Sequence, residues 1–293
     1  MSTVYAPAKL NLVLEVLGKD DDYHRISSIV QSIDLCDVLN LELDDELRFE
    51  CDVPGLRSDN LVTEAAALLK ESTGCSLGAR VELHKRIPWA AGLGGGSSDA
   101  AATLLALNEL WRLGLSVPQL VRLAWRLGSD VPFFVRKGTA LVEGRGEKVT
   151  PLPPLPPTCF VLLVPPLSKM PDKTKQMYGR LRVADFTRGE VTERALASLL
   201  RGKVVGRSLM FNVFERTAFE FFPQLDRYRK IMEEAGAAGV CLAGSGPCLF
   251  AAFSSREEAG ELFSRLSKQK LECYLTFSFP DSNTGTGSSG SQR

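Results

Sequence analysis

The feature that most constrains this chain is Pro88-Trp89-Ala90-Ala91-Gly92-Leu93-Gly94-Gly95-Gly96-Ser97-Ser98-Asp99-Ala100, a glycine-rich turn that runs straight into an apolar helix. Glycine at four of the five positions 92–96 removes the Cβ atoms that would hold backbone away from a ligand. The helix start adds unpaired N–H groups and a positive dipole end. Such a turn is a cradle for phosphate, with the hydroxyls of Ser97 and Ser98 beside it. The bland alternative is a flexible turn ending in an ordinary helix cap. Against it, Arg80 to Ile87 reads as a strand with Val81 and Leu83 on one face, and Ala100, Ala101, Leu104, Leu105, Leu107 and Leu110 form a broad apolar helix face reaching to Leu113. The loop is not G-x-x-x-x-G-K-[ST], which needs a Lys. Nor is it G-x-G-x-x-G, because Ser97 stands in place of the third glycine.

Three other segments carry polar residues in apolar settings. Leu10, Leu12, Leu14 and Val16 alternate with Asn11, Val13 and Glu15, so Lys9 and Asn11 share the face opposite the leucines. That face is either solvated or a place where a cation and an amide serve phosphate and substrate together. In Gly128-Ser129-Asp130-Val131-Pro132-Phe133-Phe134, Asp130 follows a short helix from Val117 to Leu127 and precedes an apolar strand entry. Asp is by itself a favoured turn residue there. Ala243-Gly244-Ser245-Gly246-Pro247 links the apolar run Gly239 to Leu242 with the strand-like Cys248 to Phe253, and alone it reads as a tight turn.

Taken in order, these segments resemble the motifs of the GHMP kinase superfamily. Pro7, Lys9, Asn11 and Leu12 match P-x-K-x-N-L, the glycine turn matches P-x-x-x-G-L-G-S-S-x-A, Gly128 to Phe134 matches G-[AS]-D-V-P-F-F, and residues 243–247 are similar to S-G-S-G-P. The extra glycines, together with Tyr23-His24 for the pattern G-Y-H, resemble the branch that phosphorylates the 2-hydroxyl of a cytidylylated methylerythritol in non-mevalonate isoprenoid synthesis. Asp22 departs from that pattern in place of Gly, and Ala243 in place of a hydroxyl residue. The resemblance implies an α+β, two-domain GHMP kinase fold, with an N-terminal domain like ribosomal protein S5 and a ferredoxin-like C-terminal domain. It implies ATP and Mg²⁺ as cofactors and a small-molecule cytidine diphosphate substrate.

Residue by residue, the resemblance assigns nucleotide binding to Pro88, Trp89, Ala90, Ala91, Gly92, Leu93, Gly94, Gly95, Gly96, Ser97 and Ser98, with Ser98 as the direct metal or phosphate contact. Asp130 becomes the acceptor of the substrate hydroxyl proton. Lys9 becomes the cation that offsets charge on the transferring phosphoryl and keeps Asp130 ionised. Asn11, Tyr23, His24, Tyr178, Gly244, Ser245 and Gly246 fall on the substrate. Tyr178 is assigned by aligning Leu167 to Tyr178 with V-S-T-x-x-V-Y, from which Asp172-Lys173-Thr174-Lys175 departs. Two other readings stay open. One is a GHMP enzyme of the homoserine or mevalonate type or a related diphosphate decarboxylase, against which the Tyr-His pair and triple glycine speak. The other is a non-catalytic regulator on the same fold, against which Lys9 and Asp130 speak.

Composition narrows the setting. The chain of 293 residues is 44% hydrophobic, with 35 basic and 35 acidic residues, so it has no overall basic footprint for nucleic acid or a membrane surface. Seven cysteines without a C-x-x-C pair and two histidines fit neither a disulfide framework nor a zinc site. The N-terminal run carries Lys9 and Asn11 and is no signal peptide, and no uninterrupted apolar stretch is long enough to span a bilayer. From these features we expect a cytoplasmic protein; separately, we expect a monomer or weak homodimer.

Leu152-Pro153-Pro154-Leu155-Pro156-Pro157 cannot be helix interior or central strand and divides the chain into 1–152 and 158–280, with a disordered tail over 281–293. In the first part we expect a helix from Leu61 to Ser72 capped by Asp59 and ended by Gly74, then strands at Phe133 to Val142 and Lys148 to Pro151. In the second part we expect a strand at Cys159 to Val164, helices at Glu193 to Leu200, Phe211 to Phe222 and Gln224 to Ala235, then strand, turn, strand, helix and strand. His84 belongs to the solvent face. Phe211, Phe214, Phe219, Phe221 and Phe222 read as core. Trp89 either flanks the adenine or shields the loop entry, and Asp99 either complements the helix dipole or touches Mg²⁺ through water.

Overall fold

The alternation in the first segment produces β1 (Ser2–Asp20), which pairs antiparallel with β2 (Tyr23–Asp44) along its length, with register shifts at Pro7/Ala8, Asn11/Val13 and Val16/Gly18. The structure is a computed structural model that describes residues 1–21, 23–53, 60–168, 170, 172–202 and 207–279. Asp22, Asp59 and the segment 281–293 lie outside the described residues. Both faces of β1 are covered from Ala6 to Val16: Lys9, Asn11 and Glu15 are buried like the leucines between them. The solvated-face reading of Lys9 and Asn11 is therefore excluded.

After β3 (Leu47–Cys51) comes α1 (Leu61–Thr73). Its cap is Asn60, whose Oδ1 accepts from the amides of Val62 at 2.9 Å and Thr63 at 3.0 Å, and Gly74 ends it at φ 68°. Strand β4 (Gly78–His84) stops earlier than its apolar pattern suggests. The reason is local: the amides of Arg86 and Ile87 donate to Asp37 Oδ1 at 2.6 and 2.8 Å, and that of Lys85 donates to Asp52 Oδ1 at 3.1 Å, so carboxylates take the donors a ladder would need. Helix α2 (Gly95–Leu110) starts inside the glycine run and stops before Leu113, and α3 spans Val117–Leu127. Where a strand entry is expected after Asp130, α4 (Val131–Arg136) forms instead, with Pro132 in its first turn, where a missing N–H costs nothing. The strand is confined to β5 (Thr139–Gly144), followed by β6 (Lys148–Pro151).

The second part opens with β7 (Cys159–Leu163), α5 (Lys173–Gly179) and α6 (Glu190–Leu199). The helix expected from Phe211 to Phe222 is split into β8 (Phe211–Asn212) and α7 (Glu215–Phe221). Asn212 explains the break: its Nδ2 donates to the carbonyls of Leu242 and Gly244, both at 2.8 Å, and its Oδ1 accepts from the Phe214 amide at 2.9 Å. Then follow α8 (Leu225–Glu234), β9 (Cys241–Leu242), β10 (Leu249–Phe253), α9 (Arg256–Lys268) and β11 (Cys273–Phe277). Phe214 and Phe222 are buried and Phe211, Phe219 and Phe221 pack against the same core, as the aromatic cluster suggests.

Two sheets result, and the fold is α+β. The larger runs β3-β4-β2-β1-β8, with β5 also on β2 and β6 on β5; the smaller is an antiparallel sheet ordered β11-β7-β10-β9. In chain order within the second part that is 4-1-3-2 with α8 and α9 as crossovers, the ferredoxin-like arrangement. The parts are not separate in space, because β8 pairs parallel with β1 and one core cluster contains Leu10, Leu12 and Ile29 together with Phe160, Leu162 and Phe250.

Glu15 adds a polar tie between the parts. Its side chain is fully buried, and its carboxylate accepts from the Thr192 amide at 2.7 Å, Thr192 Oγ1 at 2.6 Å and the Val191 amide at 3.3 Å. Helix α6 has Gly189 at its cap and so no capping side chain of its own; Glu15 does that work from β1, at the positive end of the dipole. Glu15→Ala is expected to lower unfolding free energy by about 2–3 kcal/mol, the cost of leaving buried donors unpaired. Urea denaturation checks this, and an unchanged midpoint would mean that water replaces the carboxylate.

Candidate active site

Three segments distant in sequence are joined at β1 by main-chain bonds. The Lys9 amide donates to the Leu93 carbonyl at 2.9 Å, and the Cys248 amide donates to the Ala91 carbonyl at 3.2 Å. Gly92 has φ 87°, and a Cβ there would lie 2.2 Å from the Ala243 carbonyl oxygen. The turn at 243–247 therefore lies backbone to backbone against the first glycine loop. Gly94 caps α2 at φ 73°, and a Cβ there would strike the Phe134 ring at 2.8 Å and Lys9 Cγ at 3.0 Å. At Gly96, by contrast, the nearest atom would be Leu61 Cδ1 at 3.8 Å. Glycine is required by the protein's own packing at 92 and 94, and only Gly96 faces open space on this measure.

Because α2 begins at Gly95, the first amide bonded within the helix is that of Ser98, which donates to Gly94 O at 2.9 Å. The amides of Gly95, Gly96 and Ser97 are the helix's orphan donors, and the dipole adds about half a positive charge. Ser98 Oγ is buried and has no hydrogen-bond partner among the described residues.

Beside this loop lies a cleft of about 910 Å³ whose walls include Lys9, Asn11, Gly94, Asp130, Lys173, Tyr178, Gly244 and Ser245. Lys9 is held by a relay: its Nζ donates to Asn11 Oδ1 at 2.6 Å, Asn11 Nδ2 donates to Ser28 Oγ at 2.8 Å, and Ser28 Oγ donates to Val13 O at 2.6 Å. The buried ammonium faces Asp130, whose Oδ2 lies 3.6 Å away on a side chain that is 53% exposed. One member of the pair is fixed and dry; the other is open to a ligand.

The aromatic residues separate into two groups. His24 stacks on Tyr178 with ring centroids 4.9 Å apart, Phe186 meets the histidine edge-on at 5.9 Å, and Phe214 meets the tyrosine edge-on at 4.8 Å. Burial, with the charge of Lys19 adding to it, lowers the pKa of His24, which favours the neutral ring. Burial, and then the charge of Asp130, raises the Tyr178 phenol. Tyr23 is exposed with the Arg145 guanidinium 3.9 Å over its ring, and Trp89 is exposed; of these aromatic residues only Tyr178 and Phe214 line the cleft, which His24 meets through its stack on Tyr178. His84 is half exposed and lies 3.5 Å from Asp52, in keeping with a solvent-facing position.

Two groups went unseen in the sequence. Beneath the loop, Lys85 Nζ bridges Asp37 Oδ2 at 2.5 Å and Asp99 Oδ2 at 2.7 Å, and all three side chains are buried. Asp99 thus reaches an internal cation, where sequence reasoning allowed only the dipole or a hydrated metal. Burial raises the Asp99 carboxyl, Lys85 pulls the other way, and Asp37 adds to the rise. Burial opposes the charge on Lys85, but Asp99 and Asp37 together outweigh it and hold the ammonium above its ordinary value. The available signal was Asp37, a lone carboxylate inside Leu35-Cys36-Asp37-Val38-Leu39. The second group is Lys173 and Thr174, whose side chains reach the 243–247 turn. Among the described residues, no cluster of three or more His, Cys, Asp or Glu side chains is arranged to hold a metal ion, and no helix is long and apolar enough to cross a membrane.

Family models described as GHMP kinases N terminal domain and GHMP kinases C terminal match residues 60–138 and 195–272. Fold, loop and both matches define a GHMP kinase. A 4-diphosphocytidyl-2-C-methyl-D-erythritol kinase of Dehalococcoides mccartyi is 44% identical over 277 residues, covering 94% of this chain and 97% of the relative. One from Listeria innocua is 38% identical over 290 residues, covering 97% and 98%. A crystal structure of 4-(cytidine 5'-diphospho)-2C-methyl-D-erythritol kinase superposes with a TM-score of 0.80 at 35% identity, covering 95% of this chain and all of that one. The chain belongs to the 4-diphosphocytidyl-2-C-methyl-D-erythritol kinase family. A homoserine kinase from Cytophaga hutchinsonii, at 20% identity and a TM-score of 0.74, shares the fold.

The ion network below the loop yields a pH test. Lys85→Met leaves Asp99 buried without its cation, while Asp37 keeps its two main-chain donors, which is expected to cost about 3–5 kcal/mol at neutral pH. Unpaired buried carboxyls titrate higher in the folded state than in the unfolded one, so the loss should shrink as pH falls toward 5 and grow as it rises to 8. Urea denaturation at the two pH values reads this; a loss independent of pH would mean that the carboxylates find other partners.

Proposed function

We propose that this kinase transfers the γ-phosphoryl group of ATP to the 2-hydroxyl of 4-diphosphocytidyl-2-C-methyl-D-erythritol, in the cleft bounded by the glycine loop, Lys9 and Asp130. The observation that carries this reading is the pairing of a buried, relay-held ammonium with a half-exposed carboxylate 3.6 Å away, beside orphan helix amides. Asp130 accepts the proton of the attacking hydroxyl. Lys9 offsets negative charge on the transferring group, and Asn11 keeps the ammonium aimed. The amides of Gly95, Gly96 and Ser97 hold phosphate oxygens. Mg²⁺, when bound with the nucleotide, supplies charge neutralisation between phosphate oxygens. The donor set suits an ion held chiefly by the ligand's own phosphates, with the unpartnered Ser98 Oγ as the protein's contribution.

The two parts of the chain divide these tasks. Residues 1–152 supply the nucleotide loop, Lys9 and Asp130. Residues 158–280 bring Tyr178, Gly244, Ser245 and Gly246 to the substrate side. The cytosine ring is assigned to the His24–Tyr178 stack, whose Tyr178 member lines the cleft, and the lowered pKa of His24 favours a neutral ring beside a neutral base. Tyr23, which precedes His24 on β2 and holds the Arg145 guanidinium over its ring, lies outside the cleft lining and takes no part in this assignment.

Asp130→Asn keeps the shape of an exposed side chain and is expected to lower kcat by about 100-fold or more with the Michaelis constants little changed; Lys9→Met should act similarly. Steady-state phosphoryl transfer from ATP to the cytidylylated alcohol checks both. Near wild-type turnover of Asp130→Asn would move the proton to the phosphate itself. His24→Ala is expected to raise the Michaelis constant for the cytidylylated alcohol by about tenfold, as a base-stacking contribution of roughly 1–3 kcal/mol implies, while that for ATP stays the same. Equal effects on both substrates would refute the stacking assignment.

A further inference from the structure

Helix α5 walls the cleft with Lys173, Thr174, Lys175 and Tyr178, and one of these side chains is in an unusual electrostatic position. Lys173 Nζ donates to the Ala90 carbonyl at 2.7 Å and, more closely, to the Gly246 carbonyl. Those carbonyls belong to the two turns that lie against each other, the entry to the glycine loop and the 243–247 turn. Next to it Thr174 Oγ1 and Ser245 Oγ are 3.1 Å apart, a second tie between α5 and the same turn.

The contrast with the other two lysines at the loop is informative. Lys9 has Asp130, and Lys85 has Asp37 and Asp99. Among the described residues, Lys173 makes no ion pair. An ammonium has three donors, and main-chain carbonyls take two. A cation drawn partly out of water without a counter-charge is costly, and burial lowers its pKa to about 8. The arrangement is open on the side of the cleft, and the ligand of a kinase is a polyanion.

We propose that Lys173 is a phosphate-binding residue of the cleft, whose remaining donor and uncompensated charge are taken up by an oxygen of a bound polyphosphate. This rests on the reading of the cleft as a polyphosphate site. The phosphate belongs either to the triphosphate of the nucleotide or to the diphosphate of the cytidylylated alcohol. The charged and titratable groups around Lys173 are Lys9 and Asp130 across the cleft, Cys248 behind the Gly246 turn, and Asp172, Lys175 and Tyr178 on its own segment. Burial raises Cys248 and Tyr178, which keeps both neutral through the alkaline range used below.

The sign of the pH effect follows. Below about 8 Lys173 is charged in the free protein and phosphate binds without proton uptake. Above it, binding must recharge the amine, so affinity falls by up to about tenfold per pH unit. Phosphate groups, whose second pKa is about 6, are already ionised there.

Calorimetric titration of the full chain with ADP and, separately, with CDP from pH 7 to 9.5 tests the proposal. Wild type is expected to lose about tenfold in affinity for one of the two probes between pH 8 and 9.5. Lys173→Arg should bind that probe without the alkaline loss, because guanidinium stays charged, and Lys173→Met should bind it about tenfold more weakly at pH 7, also without the step. A step with ADP assigns the nucleotide phosphates, and one with CDP the substrate diphosphate. In wild type alone, the ¹³Cε resonance of Lys173 should titrate near pH 8 and move up by a unit or more when the probe is bound, which needs no variant to fold. Probes that bind with no alkaline step, no Lys173→Met effect and no shift of that resonance overturn the proposal and leave the functional reading standing. Failure of wild type to bind either probe overturns both.

Discussion

From Ala6 to Val16 strand β1 is buried on both faces, and the rest of the site follows from that constraint. A strand with no solvent face cannot leave a polar side chain unpaired, because each orphan costs on the order of a kilocalorie or more. Lys9, Asn11 and Glu15 therefore each acquire an obligatory partner, and each partner fixes another element. Lys9 is aimed through Asn11 and Ser28; Glu15 seats α6; the Lys9 amide anchors Leu93 of the glycine loop. Covering β1 takes material from the far half of the chain: β8 pairs with its free edge, and Phe160, Leu162 and Phe250 pack with Leu10 and Leu12 in one core shared by the two parts.

Electrostatics around the loop are graded by what each cation is given as a counter-charge. Lys85 lies below with two carboxylates and is a structural support. Lys9 lies at the side with one half-exposed carboxylate, close enough to influence it and open enough for a hydroxyl to reach it. Lys173 meets carbonyls alone among the described residues. Three lysines of one chemical type thus differ in availability to an anion, and that order cannot be inferred from their number or spacing.

This also marks how much was legible beforehand. The glycine loop, the Lys9–Asn11 pair and Asp130 could be found because each motif is short and contiguous, and backbone approach to phosphate imposes a recognisable composition. Gly74 and the limits of α3 could be read for the same local reason. What stayed hidden depends on distant partners. Asp37 and Lys85 are 48 residues apart, and Lys173 is 73 residues from the turn it meets. Val131 to Arg136 has strand-like composition but takes its conformation from Pro132 at a helix start, and Phe211-Asn212 is pulled from helix to strand by the bonds of one amide side chain. The glycines at 92 and 94 were legible as residues but not in their cause, since what excludes a Cβ there is the Ala243 carbonyl and the Phe134 ring.

By charge count the ion network beneath the loop has the wrong sign, since two carboxylates share one ammonium under a cradle for anions. Geometry resolves the conflict. Lys85 Nζ lies 3.3 Å from the position a Cβ on Gly95 would take, so the part of the network nearest the first helical amide is its cation. Asp37 is turned away, its Oδ1 spent on the amides of Arg86 and Ile87. Asp99 is buried, with a raised pKa that weakens its claim to a full negative charge. Glycine at 95 is what lets the ammonium come so close, and a larger residue there would push Lys85 and Ile87 away from the loop floor. The absence of side chains in this loop therefore serves two ends: backbone is exposed above to phosphate, and a paired lysine is admitted below without being available to bind it.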